Sequence, residues 1–193
     1  AIKKTRLNLN KEKSLICFVG APWTLLVYML NLKKSDQSIN ISKIKNHQLD
    51  IDLIIKNLTK YLSLHIDEQI KAGADVVQIF DSWAGSLPNE ELNKFCYKPN
   101  LNLVNFCKER NIPVICFPKG IKEKYLEFLN IVKPDGLNLD YDINISWAKE
   151  NLTEVALQGG MHPLTLLKSN EKIQSEAKKY LDTFRNVPYI FNL

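Results

Sequence analysis

Gly73-Ala74-Asp75-Val76-Val77-Gln78-Ile79-Phe80-Asp81-Ser82-Trp83-Ala84-Gly85 sets a buried strand directly against a polar turn. Residues 76–80 form a nearly unbroken apolar run, interrupted only by Gln78, the pattern of a strand covered on both faces in a parallel sheet. Polar chemistry starts where the run stops. Asp81, Ser82 and Trp83 follow the strand's carboxyl end, and Gly85 and Pro88 break the chain before a helical pattern resumes at Asn89. In parallel α/β folds that end of the sheet carries the ligand site.

The same unit repeats on both sides of this stretch. Upstream, residues 15–19 read as another buried-type strand, ending in Gly20-Ala21-Pro22-Trp23-Thr24, where a proline after glycine starts a helix that runs to residue 30 or 31. Residues 35–46 are Ser-, Asn- and Lys-rich and read as a loop. Apolar residues then recur at helical spacing over 49–71 (Ile51, Leu53, Ile54, Leu58, Leu62, Leu64, Ile66, Ile70), and Gly73 ends the helix. Downstream come helix 90–110, strand 113–117, helix 121–132, strand 136–139, a short helix 145–150, strand 154–157, helices 163–168 and 171–183, and a last strand at 189–192.

Six strands alternating with helices, with no hairpin signal between them, predict parallel strands and right-handed crossovers. That pattern fits an open doubly wound sheet or part of a barrel. Both ends of the chain fall inside patterned segments and Ala1 is not a methionine, so the expectation is one domain over 1–193 that begins and ends inside a longer protein. The fold class expected is α/β, an incomplete (β/α)8 barrel of the TIM type holding its last six strands. A whole barrel of this kind takes about 250 residues.

The chain has 193 residues, of which 45% are hydrophobic, enough for one real core. Its net charge of +5 is spread from Lys3 and Lys4 to Lys178 and Lys179, with no basic stripe of interleaved aromatics, which argues against nucleic acid as a partner. Cys17, Cys96, Cys107 and Cys116 sit in apolar segments without metal or C-x-x-C spacing, and are expected to be buried, reduced thiols of a cytoplasmic protein. No apolar run reaches membrane-span length and no signal peptide precedes the first strand, so N-x-S/T triplets such as Asn57-Leu58-Thr59 carry no glycosylation meaning.

Neither common Gly-rich phosphate loop is present, which argues against a nucleotide cofactor, and no G-x-S-x-G elbow makes Ser82 a nucleophile. His47, His65 and His162 are too scattered to hold a metal. Polar groups at strand ends remain. Tyr28 lies one helical turn after Thr24, on a face that can look over the barrel mouth or simply join the core. Ser82 is either a ligand contact or a turn hydroxyl, Asp81 an acceptor of backbone N–H bonds, and Lys119 an anion contact or a solvated lysine.

Read together, Gly20-Ala21-Pro22-Trp23-Thr24-Leu25-Leu26-Val27-Tyr28-Met29, Gln78-Ile79-Phe80-Asp81-Ser82-Trp83-Ala84-Gly85, Pro113-Val114-Ile115-Cys116-Phe117-Pro118-Lys119-Gly120, Ala156-Leu157-Gln158-Gly159 and Tyr189-Ile190-Phe191-Asn192-Leu193 resemble the uroporphyrinogen decarboxylase family. The resemblance covers essentially the whole chain. It implies an αβ barrel and an enzyme that removes carboxyl groups from the four acetates of uroporphyrinogen III, leaving the methyls of coproporphyrinogen III, without metal or organic cofactor. It implies that Tyr28 and Ser82 contact the substrate's acidic side chains, and that the full-length protein is a homodimer. The family's arginine-rich loop, its pyrrole-binding aspartate and its Gly-His-Gly histidine match no position in residues 1–193. The chain alone is therefore expected to be inactive, and two unpaired strand edges are expected to make it poorly soluble.

One departure bears on stability. Gln158-Gly159-Gly160-Met161-His162-Pro163 stands where the family reads Gln-Gly-Asn-Leu-Asp-Pro, and histidine is expected to be a poorer helix N-cap than aspartate. Two alternatives stand beside a decarboxylase. A zinc-dependent methyltransferase acting on corrinoid or thiol substrates needs a His-x-Cys pair, which the sequence lacks. A non-catalytic remnant that only binds tetrapyrroles or a partner is the other.

Overall fold

The computed structural model describes residues 1–34, 38–40 and 48–193. His47 and most of the stretch read as a loop lie outside the described residues. Where that stretch is described, Lys33 and Ile39 form an isolated antiparallel bridge. In chain order the elements are α1 (Ile2–Asn8), β1 (Ile16–Gly20), α2 (Pro22–Met29), α3 (Gln48–Lys71), β2 (Val76–Asp81), α4 (Asn89–Leu92), α5 (Lys98–Lys108), β3 (Val114–Pro118), α6 (Tyr125–Val132), β4 (Gly136–Leu139), α7 (Ile145–Asn151), β5 (Ala156–Gly159), α8 (Asn170–Thr183) and β6 (Tyr189–Ile190). The strands form one sheet in sequence order, every neighbouring pair parallel.

Three inward-facing amides show that this sheet curls into a barrel wall. Gln158 Nε2 on β5 donates to Gln78 Oε1 on β2 at 3.2 Å and to Asn138 Oδ1 on β4 at 2.8 Å. On a flat sheet β2 and β5 would stand roughly 14 Å apart, three strand spacings. Their contact requires a tightly curved arc, with the helices outside and these amides within. The helix-facing side holds the main core, where Val77, Ile79, Val114, Cys116, Leu137 and Leu157 meet Leu26, Ile66, Leu103, Phe128 and Tyr180. All four cysteines are buried and unpaired.

The opposite rim is pinned by a repeated device. Asp75, just before β2, accepts the Leu15 N–H at 2.6 Å, and Asp135, just before β4, accepts the Val114 N–H at 2.9 Å. Each carboxylate thus fixes the start of the neighbouring strand. Asp75 also takes Arg6 Nη1 at 2.7 Å, which ties α1 to the sheet.

Several expectations are corrected. Strand β1 is covered on one face alone: Cys17 and Val19 are buried, but Phe18 is 67% exposed. The physical reason is its edge position, which turns Ile16 and Phe18 toward the open side of the arc, where they share a hollow with Ile190 and Phe191 of the opposite edge. Leu53 and Leu64 of α3 are exposed, so its buried stripe is narrower than the sequence suggests and runs through Ile51, Ile55, Leu62 and Ile66. Strand β5 begins two residues later than expected because its register is set by β4, with Gly136 opposite Ala156 and Leu139 opposite Gly159. The helix expected over 90–110 is broken by a π turn at Asn93–Tyr97. Pro99 has no N–H to return to the preceding turn, and the helix widens there.

Candidate functional site

Residues beyond the carboxyl ends of β1, β2 and β3 build one connected rim. The start of α2 grips the turn after β2 by both backbone groups of Trp83: Thr24 Oγ1 accepts its N–H at 3.3 Å, and Trp23 Nε1 donates to its carbonyl at 2.9 Å. The Ala21 N–H donates to the Phe80 carbonyl at 2.8 Å. The Gly-Ala-Pro-Trp-Thr segment is therefore a clamp on the segment that carries Ser82.

Asp81 anchors the clamp from inside. Its carboxyl is 1% exposed and accepts Thr24 Oγ1 at 2.9 Å on one oxygen and Asn100 Nδ2 at 3.1 Å on the other. Burial pushes this carboxyl up to about 6, against the pull of hydrogen bonds from Thr24, Cys96 and Asn100. Its partners are side chains rather than the backbone N–H groups expected of it. Asn100 and Cys96 were missed in the sequence, because a π turn ahead of Pro99 places them and helical periodicity does not.

Ser82 is half-buried, and no protein group among the described residues bonds its hydroxyl. The turn hydroxyl is instead Ser86, which donates to the Trp83 carbonyl. Ser82 lines a hollow of about 420 Å³ together with Ser38, Ile39, Trp83, Gly85, Ser86, Lys119 and Gly120. Tyr28 stands apart from this hollow. It is 59% exposed, and its ring meets the Trp83 ring edge-on at 6.3 Å between centroids, so Trp83 is the link between the two expected contacts. Thr24, one turn before Tyr28, points into the core instead of over the mouth.

The walls of the hollow are fixed by backbone. The Lys119 N–H donates to the Asp81 carbonyl at 3.1 Å, and the Gly85 N–H to the Lys119 carbonyl at 2.8 Å. Gly85 and Gly120 approach so closely that a Cβ on Gly85 would lie 2.3 Å from the Gly120 oxygen. Behind them Asp140 Oδ2 accepts the Gly120 N–H at 2.6 Å and Tyr125 Oη at 2.9 Å. A larger hollow of about 460 Å³ lies beyond Asp140, but it sets Glu123, Asp140 and Asp142 against Lys122, a charge balance that repels carboxylates.

The interior amides Gln78, Asn138 and Gln158 were not singled out in the sequence as functional. The polar break in each apolar run was the available signal, since a polar residue inside a buried strand must face a partner. Among the described residues no three His, Cys, Asp or Glu side chains are placed to hold a metal ion. Nor is any helix of the described residues long and apolar enough to cross a membrane.

Residues 1–193 match the family profile of uroporphyrinogen decarboxylase throughout. The chain belongs to the uroporphyrinogen decarboxylase family. Curated relatives named uroporphyrinogen decarboxylase include those of Orientia tsutsugamushi strain Boryong (41% identical over 100% of this chain and 58% of the relative) and of the Wolbachia of Brugia malayi (37%, 100% and 55%). The chain thus spans little more than half the length of these relatives. Among solved structures, a methyltransferase from Methanosarcina mazei superposes with a TM-score of 0.74 at 19% identity, over 98% of this chain and 55% of that one. A likeness at that identity speaks for the barrel alone.

Within the uroporphyrinogen decarboxylase family frame, the resemblance first carried by five short segments extends to every residue of the chain. His162 stands at the N-terminus of a short 3-10 helix. Its Nδ1 accepts the Leu164 N–H at 3.0 Å, and its ring lies 4.1 Å from that of Tyr141, so this histidine caps the short 3-10 helix Pro163–Leu167 and packs as well.

Proposed function

We propose that this chain supplies part of the substrate-binding mouth of a uroporphyrinogen decarboxylase, which converts the four acetates of uroporphyrinogen III to the methyls of coproporphyrinogen III. The observation that carries the reading is Ser82, a hydroxyl without a hydrogen-bond partner among the described residues, held on a clamped turn at the mouth of a barrel of this family. Loss of CO₂ from a pyrrole acetate is eased by protonating the ring, so that the electrons of the breaking carbon–carbon bond flow into a cation. An enzyme for it must hold an array of carboxylates while stabilising that positive ring. Ser82 and Tyr28 are the residues proposed to donate hydrogen bonds to carboxylates of the substrate. Trp83, whose ring contacts Tyr28 and whose backbone is gripped by α2, keeps their spacing. Asp81 supports the clamp and does not open onto the hollow.

The same reading proposes a cytoplasmic homodimer with paired clefts, testable by sedimentation. Turnover is the direct test of the function. Incubated anaerobically with uroporphyrinogen III, the chain restored to the length of its relatives forms coproporphyrinogen III, and the 193-residue chain alone forms none. No coproporphyrinogen from the restored protein, with porphyrin bound but unchanged, returns the chain to the class of non-catalytic binders. Zinc-dependent turnover of a methyl donor by the restored protein would place it with the methyltransferases.

A further inference from the structure

We infer that Lys119 is the cationic half of a carboxylate pocket whose other half is the Ser82 hydroxyl, an assignment that rests on the decarboxylase reading and adds a specificity-determining residue to it. Three independent observations converge on it. Lys119 is tied to the Ser82 turn by backbone on both sides, through the Asp81 carbonyl at 3.1 Å and the Gly85 N–H at 2.8 Å, so side chain and hydroxyl are carried on one rigid unit. Among the described residues the hollow they share is lined by hydroxyls, glycines, Ile39 and Trp83, and Lys119 is the charged residue in that lining. Its ammonium makes no ion pair among the described residues, whereas Lys94, Lys71 and Lys124 each lie within 3.0 Å of a carboxylate.

A hollow that offers, among the described residues, one ammonium, the Ser82 O–H and no acid suits an anion with two or more acceptor oxygens. A carboxylate arm of the tetrapyrrole is the occupant proposed. The Gly85–Gly120 approach gives the site its shape, because any side chain at Gly85 would drive the Lys119 strand end away from the Ser82 turn. Asp140, which Lys119 faces electrostatically, is engaged by Gly120 and Tyr125 and lines the other hollow.

The test uses the 193-residue chain at sub-micromolar concentration, with uroporphyrin (eight carboxylates) and coproporphyrin (four) as fluorescent probes. Lys119→Met should bind uroporphyrin about tenfold more weakly than the unchanged chain and with a shallower salt dependence, while Lys119→Arg stays within about threefold. A purely structural lysine would leave the salt dependence unmoved. If uroporphyrin binds and Lys119→Met matches the unchanged chain, the Lys119 assignment fails and the decarboxylase reading stands. A second measurement separates the opposite case: propionate should slow acylation of Lys119, followed by mass spectrometry, and leave the nearby Lys122 unaffected. Propionate protection without uroporphyrin binding overturns the tetrapyrrole reading for this chain and keeps the carboxylate pocket; equal rates at both lysines overturn the pocket.

Discussion

Thr24 Oγ1 lies 2.9 Å from Asp81 Oδ1 and at the same time accepts the Trp83 N–H at 3.3 Å, so one hydroxyl joins the start of α2 to the turn that carries Ser82. Replacing it strips a hydrogen bond from a buried carboxyl and orphans a backbone donor. Thr24→Val should therefore cost about 2–3 kcal/mol of unfolding free energy, and Thr24→Ser less than about 1 kcal/mol. Urea unfolding of both variants checks the ranking, and equal losses would show that the methyl rather than the hydroxyl matters.

Asp81 makes stability depend on pH in a defined direction. Burial raises its carboxyl from the ordinary 3.8 to about 6, so between those values the unfolded chain is ionised while the folded chain holds a proton. The folded state then binds more protons, and its advantage fades as pH rises through the folded value. Relative to Asp81→Asn, the unchanged chain should lose about 2–3 kcal/mol between pH 4 and pH 6.5. Asp140 is also raised by burial, and the comparison with the variant cancels its contribution. A difference that is flat with pH would contradict the buried carboxyl described above.

The contact between Gly85 and Gly120 leaves no room for a methyl group. A Cβ at Gly85 would meet the Gly120 oxygen at 2.3 Å, and backbone has to move to admit it. Gly85→Ala should destabilise by about 3 kcal/mol. A Cβ at Gly120 would lie 3.3 Å from the Gly85 Cα, tight but less so than the reverse contact, and Gly120→Ala must also hold a φ of +82°, a smaller penalty of about 1–2 kcal/mol. Chemical denaturation measures both, and the reverse order would move the close approach elsewhere.

His162 supplies a cap of its own. Because its Nδ1 already takes the Leu164 N–H and its ring packs on Tyr141, His162→Asp should leave the melting temperature nearly unchanged, and His162→Ala should lower stability by about 1 kcal/mol. A clear rise in melting temperature with aspartate would show instead that aspartate is the better cap here.

What the sequence made legible follows from what pattern encodes. The apolar run ending at Asp81 placed β2 within one residue, and Gly-Ala-Pro placed the start of α2, since both are local signals of burial and of backbone chemistry. The exposure of Phe18 was hidden, because an edge strand that feeds a curled sheet carries the same apolar residues as a central one. Ser82 was found through its place at a strand end and through resemblance. Its freedom from the turn could not be read, because Ser82 and Ser86 are equally good turn hydroxyls in one dimension. The partnership of Gln78 with Gln158 spans 80 residues and depends on barrel curvature, which no local pattern reports. The Asn100 amide reaches Asp81 only through the π turn before Pro99.

The most direct test of the central claim is kcat/KM for uroporphyrinogen III in the chain restored to the length of its relatives, with and without Ser82→Ala. The account predicts a fall of about tenfold or more, with unfolding free energy within about 0.5 kcal/mol of the unchanged protein. An unaltered kcat/KM in the Ser82→Ala protein would contradict it.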